Sequence, residues 1–186
     1  LVDFGQVRRS GLLAIKLHQE DSLRWVEATT GEYEGVITTS RGQAIHFREK
    51  DVRPMGRTAG GVRGIKLKKD DRVVGMDVVF KNQQGNQLLV ITENGYGKRT
   101  ELGAYKIQNR GGSGIKTASV TAKTGTVVGA SIVNVDTIAD EDLILSSEKG
   151  QIIRIPLNSV SVLGRATQGV RVMRPQAGDK VSAITV

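Results

Sequence analysis

Cations at fixed distances from three glycines are the clearest chemical signal in the sequence. An arginine stands four residues before Gly61, Gly114 and Gly169, and a second cation stands two residues after each of them. These cations are Arg57, Arg110 and Arg165 before the glycines, and Arg63, Lys116 and Arg171 after them. Guanidinium and ammonium groups bind phosphate oxygens. We therefore expect a row of phosphate-binding positions, and we call the segment around each glycine a box.

A fourth box surrounds Gly11 and adds further candidate cations. The four box glycines follow one another at intervals of 50, 53 and 55 residues, so the boxes belong to an internal repeat. The remaining candidate phosphate-binding residues lie in the boxes or in the strands predicted before them, and they are Arg8, Arg9, Lys16, Lys66, Lys98, Arg99, Arg154 and Arg174.

The sequence offers little support for an enzyme. Neither of the two histidines, His18 and His46, has a spacing typical of metal ligands or of a catalytic pair. Residues 111–114 are rich in glycine, but the lysine and hydroxyl residue of a nucleotide-binding loop do not follow them. Cysteine, the usual ligand of structural zinc, is absent. We predict no catalytic residue, no metal site and no cofactor in this chain.

Each of the last three boxes follows a predicted β-hairpin. Strand-like segments turn at Gly42, Gly95 and Gly150, and glycine supplies the positive φ that tight hairpin turns require. The box glycine stands 19 residues after the turn glycine in all three copies. The residues four positions after the turn glycines are His46, Arg99 and Arg154. We interpret the histidine as the replacement of a surface cation.

Further strands are predicted at 73–79 and 127–133, and no segment shows the periodicity of an amphipathic helix. A unit of about 50 residues with about four strands has the size of a propeller blade. We therefore predict an all-β fold of repeated four-stranded blades. The predicted boundaries are a partial blade at 1–30 and whole blades at 31–80, 81–133 and 134–186.

The composition favours duplex DNA as the partner. The chain of 186 residues has 27 Lys and Arg against 19 Asp and Glu, a net charge of +8, and only 4% aromatic residues. Few aromatic residues disfavour single-strand binding by base stacking. Cations on successive blades would form a positive belt suited to bent DNA, bound without base readout, and the box glycines would let the backbone approach phosphates. No apolar run approaches the roughly 18 residues of a membrane span, so no membrane partner is expected.

The boxes also resemble a known family. Residues 108–114, QNRGGSG, are similar to the gyrase-A box, whose pattern is Gln, Arg/Lys, Arg, Gly, Gly, Arg/Lys, Gly. Residues 56–67 and 162–170 resemble its degenerate copies, and residues 94–100 are also typical of the family. The resemblance covers nearly the whole chain and is to the C-terminal domain of DNA gyrase A. It implies a β-pinwheel, a propeller-like disc in which strands are exchanged between blades.

The resemblance implies a function and partners as well. In this family the rim wraps double-stranded DNA, and gyrase introduces negative supercoils with ATP and Mg²⁺ bound outside this chain, in gyrase B. The implied partners are DNA and, in an A2B2 assembly, gyrase B and the rest of gyrase A. The implied location is the bacterial cytoplasm, in association with the nucleoid. The cleavage tyrosine of the family follows an arginine, and no Arg-Tyr pair occurs here, so no cleavage chemistry is expected.

Two departures from the family pattern leave alternatives open. The family domain usually has six blades, whereas this chain has three full units, and Asn109 and Ser113 replace box cations. The first alternative is the related C-terminal domain of topoisomerase IV, which has fewer blades and degraded boxes. The second is a kelch-like protein-interaction propeller, whose period is also about 50 residues, although the repeated cations argue against it.

Overall fold

The three predicted hairpins form the framework of the fold. In the structure, a computed structural model that describes Gly5 and residues 9–186, each turn glycine joins two antiparallel strands. Gly42, Gly95 and Gly150 have φ values of +72°, +76° and +85°, a conformation that only glycine adopts at little steric cost. The hairpins are β1 (Tyr33–Thr39) with β2 (Gln43–Arg48), β4 (Asn86–Thr92) with β5 (Tyr96–Glu101), and β8 (Asp142–Ser147) with β9 (Ile152–Pro156).

Two other classes of strand complete the sheets. Long strands follow the boxes, and they are β3 (Val73–Phe80), β7 (Val127–Asn134) and β11 (Val181–Thr185). Two-residue strands lie within the boxes, and they are β6 (Ile115–Lys116) and β10 (Val170–Arg171). A 3-10 turn ends each hairpin, at Glu49–Asp51, Leu102–Ala104 and Leu157–Ser159. The described residues contain no α-helix, so the prediction of an all-β fold is confirmed.

The box strands pair with the hairpin of the preceding unit. The first sheet has the order β3-β1-β2-β6, the second has β7-β4-β5-β10, and the third has β11-β8-β9. β6 therefore belongs to the second unit along the chain but completes the sheet of the first, and β10 does the same for the second sheet. Each of these two sheets is thus built from two successive sequence units, which is the strand exchange that the family resemblance implied.

Each sheet has an inner edge, where successive sheets meet. At the opposite edge the first two sheets are completed by the box strands β6 and β10, and we call the side of the fold that carries the boxes the box edge. The inner-edge strands β3, β7 and β11 contact one another in sequence. A Cβ on Gly75 in β3 would lie 2.5 Å from the Ala130 carbonyl oxygen in β7, and one on Gly129 would lie 2.6 Å from Cγ1 of Ile184 in β11. Glycine is required there because the strands pack closely. The boxes consequently lie along the outside.

Two apolar clusters hold the three sheets together. Along β4, Leu88 and Val90 face the first sheet, whereas Leu89 and Ile91 face the third. Since alternate side chains of a strand point to opposite faces, this one strand contributes to both clusters, and all of its residues are buried. The middle sheet is therefore covered on both faces.

The first two boxes differ from the last two in secondary structure. Neither residues 9–32 nor residues 52–72 contain a strand. A two-residue box strand forms by pairing with the hairpin of the preceding unit, and no described hairpin precedes that at Gly42. No helix among the described residues is long and apolar enough to cross a membrane.

Candidate nucleic-acid interface

Two of the box glycines, Gly114 and Gly169, lie against the hairpin of the preceding unit. Gly114 and Gly169 have φ values of +69° and +83°. A Cβ on Gly114 would lie 2.6 Å from the carbonyl oxygen of Ala44 in β2, and one on Gly169 would lie 2.6 Å from that of Gly97 in β5. The space in front of these two glycines is filled by protein, so the expectation that box glycines admit phosphates is wrong for Gly114 and Gly169, whereas a Cβ on Gly11 or Gly61 would meet nothing within 4 Å.

The cations two residues after the box glycines are exposed at the box edge. Lys116 in β6 pairs with Gln43, and Arg171 in β10 pairs with Tyr96 at the equivalent position of the next sheet. The Arg171 guanidinium lies 4.7 Å from the centroid of the Tyr96 ring and donates to its hydroxyl at 2.7 Å. Arg63, the equivalent residue of the second box, is also exposed. These three side chains can all reach an external anion.

A second series of exposed cations stands five residues after the box glycines. Its members are Lys16, Lys66 and Arg174. Ser119 occupies this position in the third box. Three of the four boxes therefore carry a cation here, and the two series together place six exposed positive charges in the boxes.

The arginines four residues before the box glycines are half-buried and donate hydrogen bonds to backbone carbonyl oxygens. In each case Nη1 donates to a backbone carbonyl oxygen of the preceding box. Arg110 also donates from Nε to the Asp51 carbonyl oxygen at 3.0 Å, and the Arg165 guanidinium lies 5.9 Å from the Tyr105 ring centroid. Arg57 has the same half-buried environment. These arginines are less accessible to an external anion than the other box cations.

Lys98 is not at the surface, and its assignment as a phosphate-binding residue is wrong. Its side chain is 1% exposed, and Nζ donates to the carbonyl oxygens of Gly164 and Arg165, both at 2.6 Å, and to the Thr167 hydroxyl at 3.1 Å. Burial lowers the pKa of Lys98 to about 8, with smaller effects from the charges of Arg165 and Lys116. Through these hydrogen bonds, Lys98 connects β5 to the fourth box.

Arg99 is a second buried cation, so its assignment to the exposed row is also wrong. Nε donates to the Val160 carbonyl oxygen at 2.8 Å, Nη2 to the Asn158 carbonyl oxygen at 3.0 Å, and Nη1 to Oε1 of Gln87 at 2.8 Å. Burial lowers its pKa. All three guanidinium nitrogens donate hydrogen bonds within the protein, and two of these bonds join β5 to the segment that follows the third hairpin.

His46 occupies the same position in the first hairpin, and it is buried rather than at the surface. Nδ1 lies 2.9 Å from the Tyr105 carbonyl oxygen, and Nε2 lies 2.9 Å from Oε2 of Glu34. His46 is therefore equivalent to Arg99, as the sequence indicated. The prediction that it lies at the surface is wrong, because the segment that contains Tyr105 covers β2. Arg154, the third member, is exposed and forms an ion pair with Asp142.

The two candidates nearest the start of the chain stand apart. Arg9 is exposed, whereas Arg8 lies outside the described residues. One neighbouring cation was missed by the sequence reasoning. Lys123 is exposed, and its Nζ lies 5.4 Å from the centroid of the Tyr96 ring that also contacts Arg171. It has no box offset, and the Asn94 side chain, which donates to the carbonyl oxygens of Ala122 and Lys123, holds its segment beside Tyr96.

We find no candidate metal site among the described residues. In the part of the chain that the structure describes, no group of three or more His, Asp and Glu side chains could hold a metal ion. Of the three tyrosines, Tyr96 and Tyr105 are buried. The Tyr105 hydroxyl hydrogen bonds to Thr117, and no catalytic base contacts it. The exposed box cations are therefore the strongest candidate site.

Solved structures of similar shape include C-terminal domains of DNA gyrase A and of DNA topoisomerase IV. The structure of a DNA gyrase A C-terminal domain has a TM-score of 0.80 and 28% identity, over 94% of this chain and 57% of that one. The C-terminal domain of DNA topoisomerase IV has a TM-score of 0.88 over 98% of this chain and 55% of that one. At 23% identity, the latter shows the fold alone.

Sequence comparisons lead to the same group. The chain is 42% identical over 184 residues to DNA gyrase A of Staphylococcus epidermidis, and 44% identical over 174 residues to that of Staphylococcus aureus. These matches cover 99% and 94% of this chain but 20% and 19% of the relatives, so the chain spans about a fifth of their length. The family model described as "DNA gyrase C-terminal domain, beta-propeller" matches residues 36–79, 86–134 and 141–186. This chain therefore belongs to the family of DNA gyrase C-terminal domains.

Proposed function

We propose that this chain binds duplex DNA along its box edge, without sequence preference, and bends it. The observation that carries this proposal is the repetition of exposed cations at the same two offsets in successive boxes. These cations are Lys16, Arg63, Lys66, Lys116, Arg171 and Arg174. The described residues contain no α-helix that could serve as a recognition helix, and the repeated cations would make phosphate contacts the main source of affinity.

The number of edge cations is sufficient for bending. Smooth bending of duplex DNA by roughly 90° costs on the order of several kcal/mol, and about 6–10 phosphate contacts would offset it. Six contacts predict a slope of about −5 for log K against log salt, since each contributes about −0.9. The buried cations Lys98 and Arg99 contribute nothing to this slope.

The family membership supports a role for this activity in a larger assembly. We propose that the chain is the DNA-wrapping domain of a gyrase A protein, part of a type IIA topoisomerase that introduces negative supercoils. It would act with the rest of gyrase A and with gyrase B in an A2B2 assembly, in the bacterial cytoplasm and on the nucleoid. Gyrase B, rather than this chain, would bind the ATP and Mg²⁺.

The salt dependence of binding tests the edge cations directly. The triple variant R63Q/K116Q/R171Q should reduce the slope by about 2.7, because three phosphate contacts are lost. The matched control R72Q/K81Q/K180Q also removes three exposed charges, but from positions that flank the inner-edge strands β3 and β11. Its slope should equal that of the wild type. Equal slopes for both triple variants would refute the box edge as the binding surface.

A long duplex with donor and acceptor dyes near its ends tests the bending. Approach of the ends on binding would support wrapping, and it should be lost in R63Q/K116Q/R171Q. Binding without approach of the ends would refute bending by this chain and favour the topoisomerase IV type. No binding at low salt would refute the nucleic-acid function and favour a protein-interaction propeller.

A further inference from the structure

One hydrogen bond recurs wherever two consecutive boxes meet. We call these contacts the first, second and third junctions, in chain order. At each junction, the arginine of the later box donates from Nη1 to the backbone carbonyl oxygen two residues after the glycine of the earlier box. The bonds are Arg57 to Leu13 at 2.9 Å, Arg110 to Arg63 at 3.2 Å, and Arg165 to Lys116 at 3.1 Å.

A second hydrogen bond accompanies the first at every junction. The backbone N–H five residues after the earlier glycine donates to the carbonyl oxygen two residues before the later glycine. The bonds are Lys16 to Ala59 at 3.3 Å, Lys66 to Gly112 at 2.8 Å, and Ser119 to Thr167 at 3.0 Å. Both bonds are present at the first junction, although neither of its two boxes contains a strand. The junctions therefore form independently of strand pairing.

The arginine bonds act on the backbone that carries the exposed cations. At the second and third junctions the accepting carbonyls belong to Arg63 and Lys116, whose side chains are exposed. At the second junction the Nε of Arg110 also holds the Asp51 carbonyl, which ties the later box to the end of the first hairpin. A half-buried guanidinium with two carbonyl partners restrains both boxes that it joins.

We propose that Arg57, Arg110 and Arg165 are positioning residues that hold successive boxes at a fixed separation, so that their exposed cations contact one duplex together. This inference rests on the proposed function, since the fixed separation matters only if a single DNA spans several boxes. It differs from the sequence prediction, in which the same arginines were themselves phosphate contacts.

A positioning role and a direct phosphate contact predict different effects when Arg110 is replaced by lysine. A lysine keeps the charge of Arg110 but lacks the planar fork whose Nε and Nη1 hold two carbonyls. A positioning role is therefore lost equally in R110K and R110Q. A direct phosphate contact requires a positive charge, so lysine would preserve the contact and glutamine would not.

Hydrogen exchange of the free protein tests the positioning role without DNA. The Lys66 amide reports the second junction, and the Ser119 amide reports the third as an internal control. In R110K we expect at least about tenfold faster exchange at Lys66, the loss of about 1.4 kcal/mol of local protection, with no change at Ser119. Unchanged exchange at Lys66, or equal acceleration at both amides, would overturn the proposal. R165K, with the two reporters exchanged, repeats the test at the third junction if the Arg110 variants fail to fold.

Two lengths of duplex connect the junctions to binding. A duplex of about 12 base pairs covers little more than one helical turn and can engage one box, whereas one of about 40 base pairs can span several. R110K and R110Q should weaken binding of the long duplex severalfold and equally, and leave the short duplex unaffected. K116Q, the control, should weaken both. Restoration of long-duplex affinity by lysine alone would overturn the proposal. Failure of the wild type to bind either duplex would refute the proposed function, while the exchange result would still decide the structural role.

Discussion

Substitution of the box glycines by alanine separates two constraints that act on the same residue type. Gly114 and Gly61 have similar backbone conformations, with φ of +69° and +81°. A Cβ on Gly61 would meet nothing within 4 Å, whereas one on Gly114 would lie 2.6 Å from the Ala44 carbonyl oxygen and 2.9 Å from its carbon. G61A therefore introduces conformational strain alone, and G114A introduces the same strain together with a clash.

The expected magnitudes follow from these two contributions. A non-glycine residue in the left-handed region costs about 1–2 kcal/mol, and G61A should lose that amount of unfolding free energy. Forcing an extra carbon against the backbone of β2 costs about 1–3 kcal/mol more, because Ala44 is buried and its carbonyl cannot move without disturbing the pairing of β2 with β6. G114A should therefore lose about 2–5 kcal/mol.

Urea unfolding followed by circular dichroism measures both losses, and DNA titration of the folded variants measures the consequence for binding. We expect G114A to be less stable than G61A by at least about 1 kcal/mol. Equal losses would show that the contact with Ala44 does not constrain Gly114. If both variants kept near-wild-type stability and both lost DNA affinity, the glycines would serve the approach of phosphates after all, and the structural explanation would be refuted.

The half-buried Asp77 and the buried Lys98 predict opposite pH dependences of stability. Burial, with a smaller effect of Glu27, raises the pKa of Asp77 to about 6 from 3.8. The folded state therefore binds the Asp77 proton more tightly than the unfolded chain does, and it loses stability as the pH rises through about 6. D77N should therefore be more stable than the wild type at pH 7.5 but not at pH 4, and an equal gain in urea midpoint at both pH values would contradict this. Burial lowers the pKa of Lys98 to about 8 from 10.5, so the wild type should gain stability relative to K98M between pH 8 and 10.5. A constant difference in melting temperature between pH 7.5 and 10 would show that Lys98 does not titrate in the folded state.

The features predicted correctly from the sequence are those set by short-range chemistry. The turns at Gly42, Gly95 and Gly150 require a positive φ, and the strands before them are rich in Val, Ile and Leu, a signal that is visible within a few residues. The constant distance from turn glycine to box glycine reflects a repeated local path of the chain. The fold class and the repeat could be derived for these reasons, and the exposed cations of the boxes followed from the same spacing.

The tertiary structure alone decided which cations face the solvent. Lys98, Arg99 and His46 belong to strands that read as surface strands by themselves, but a segment of the following unit covers each of them and supplies the acceptors they hold. The packing of successive boxes likewise turns the box arginines toward the carbonyls of the preceding box. Spacing within one repeat cannot reveal these contacts, because both partners become neighbours only when successive repeats pack. The amino-acid sequence thus determined the repeating unit and its charge, and the packing of unit against unit determined which charges were left for a partner.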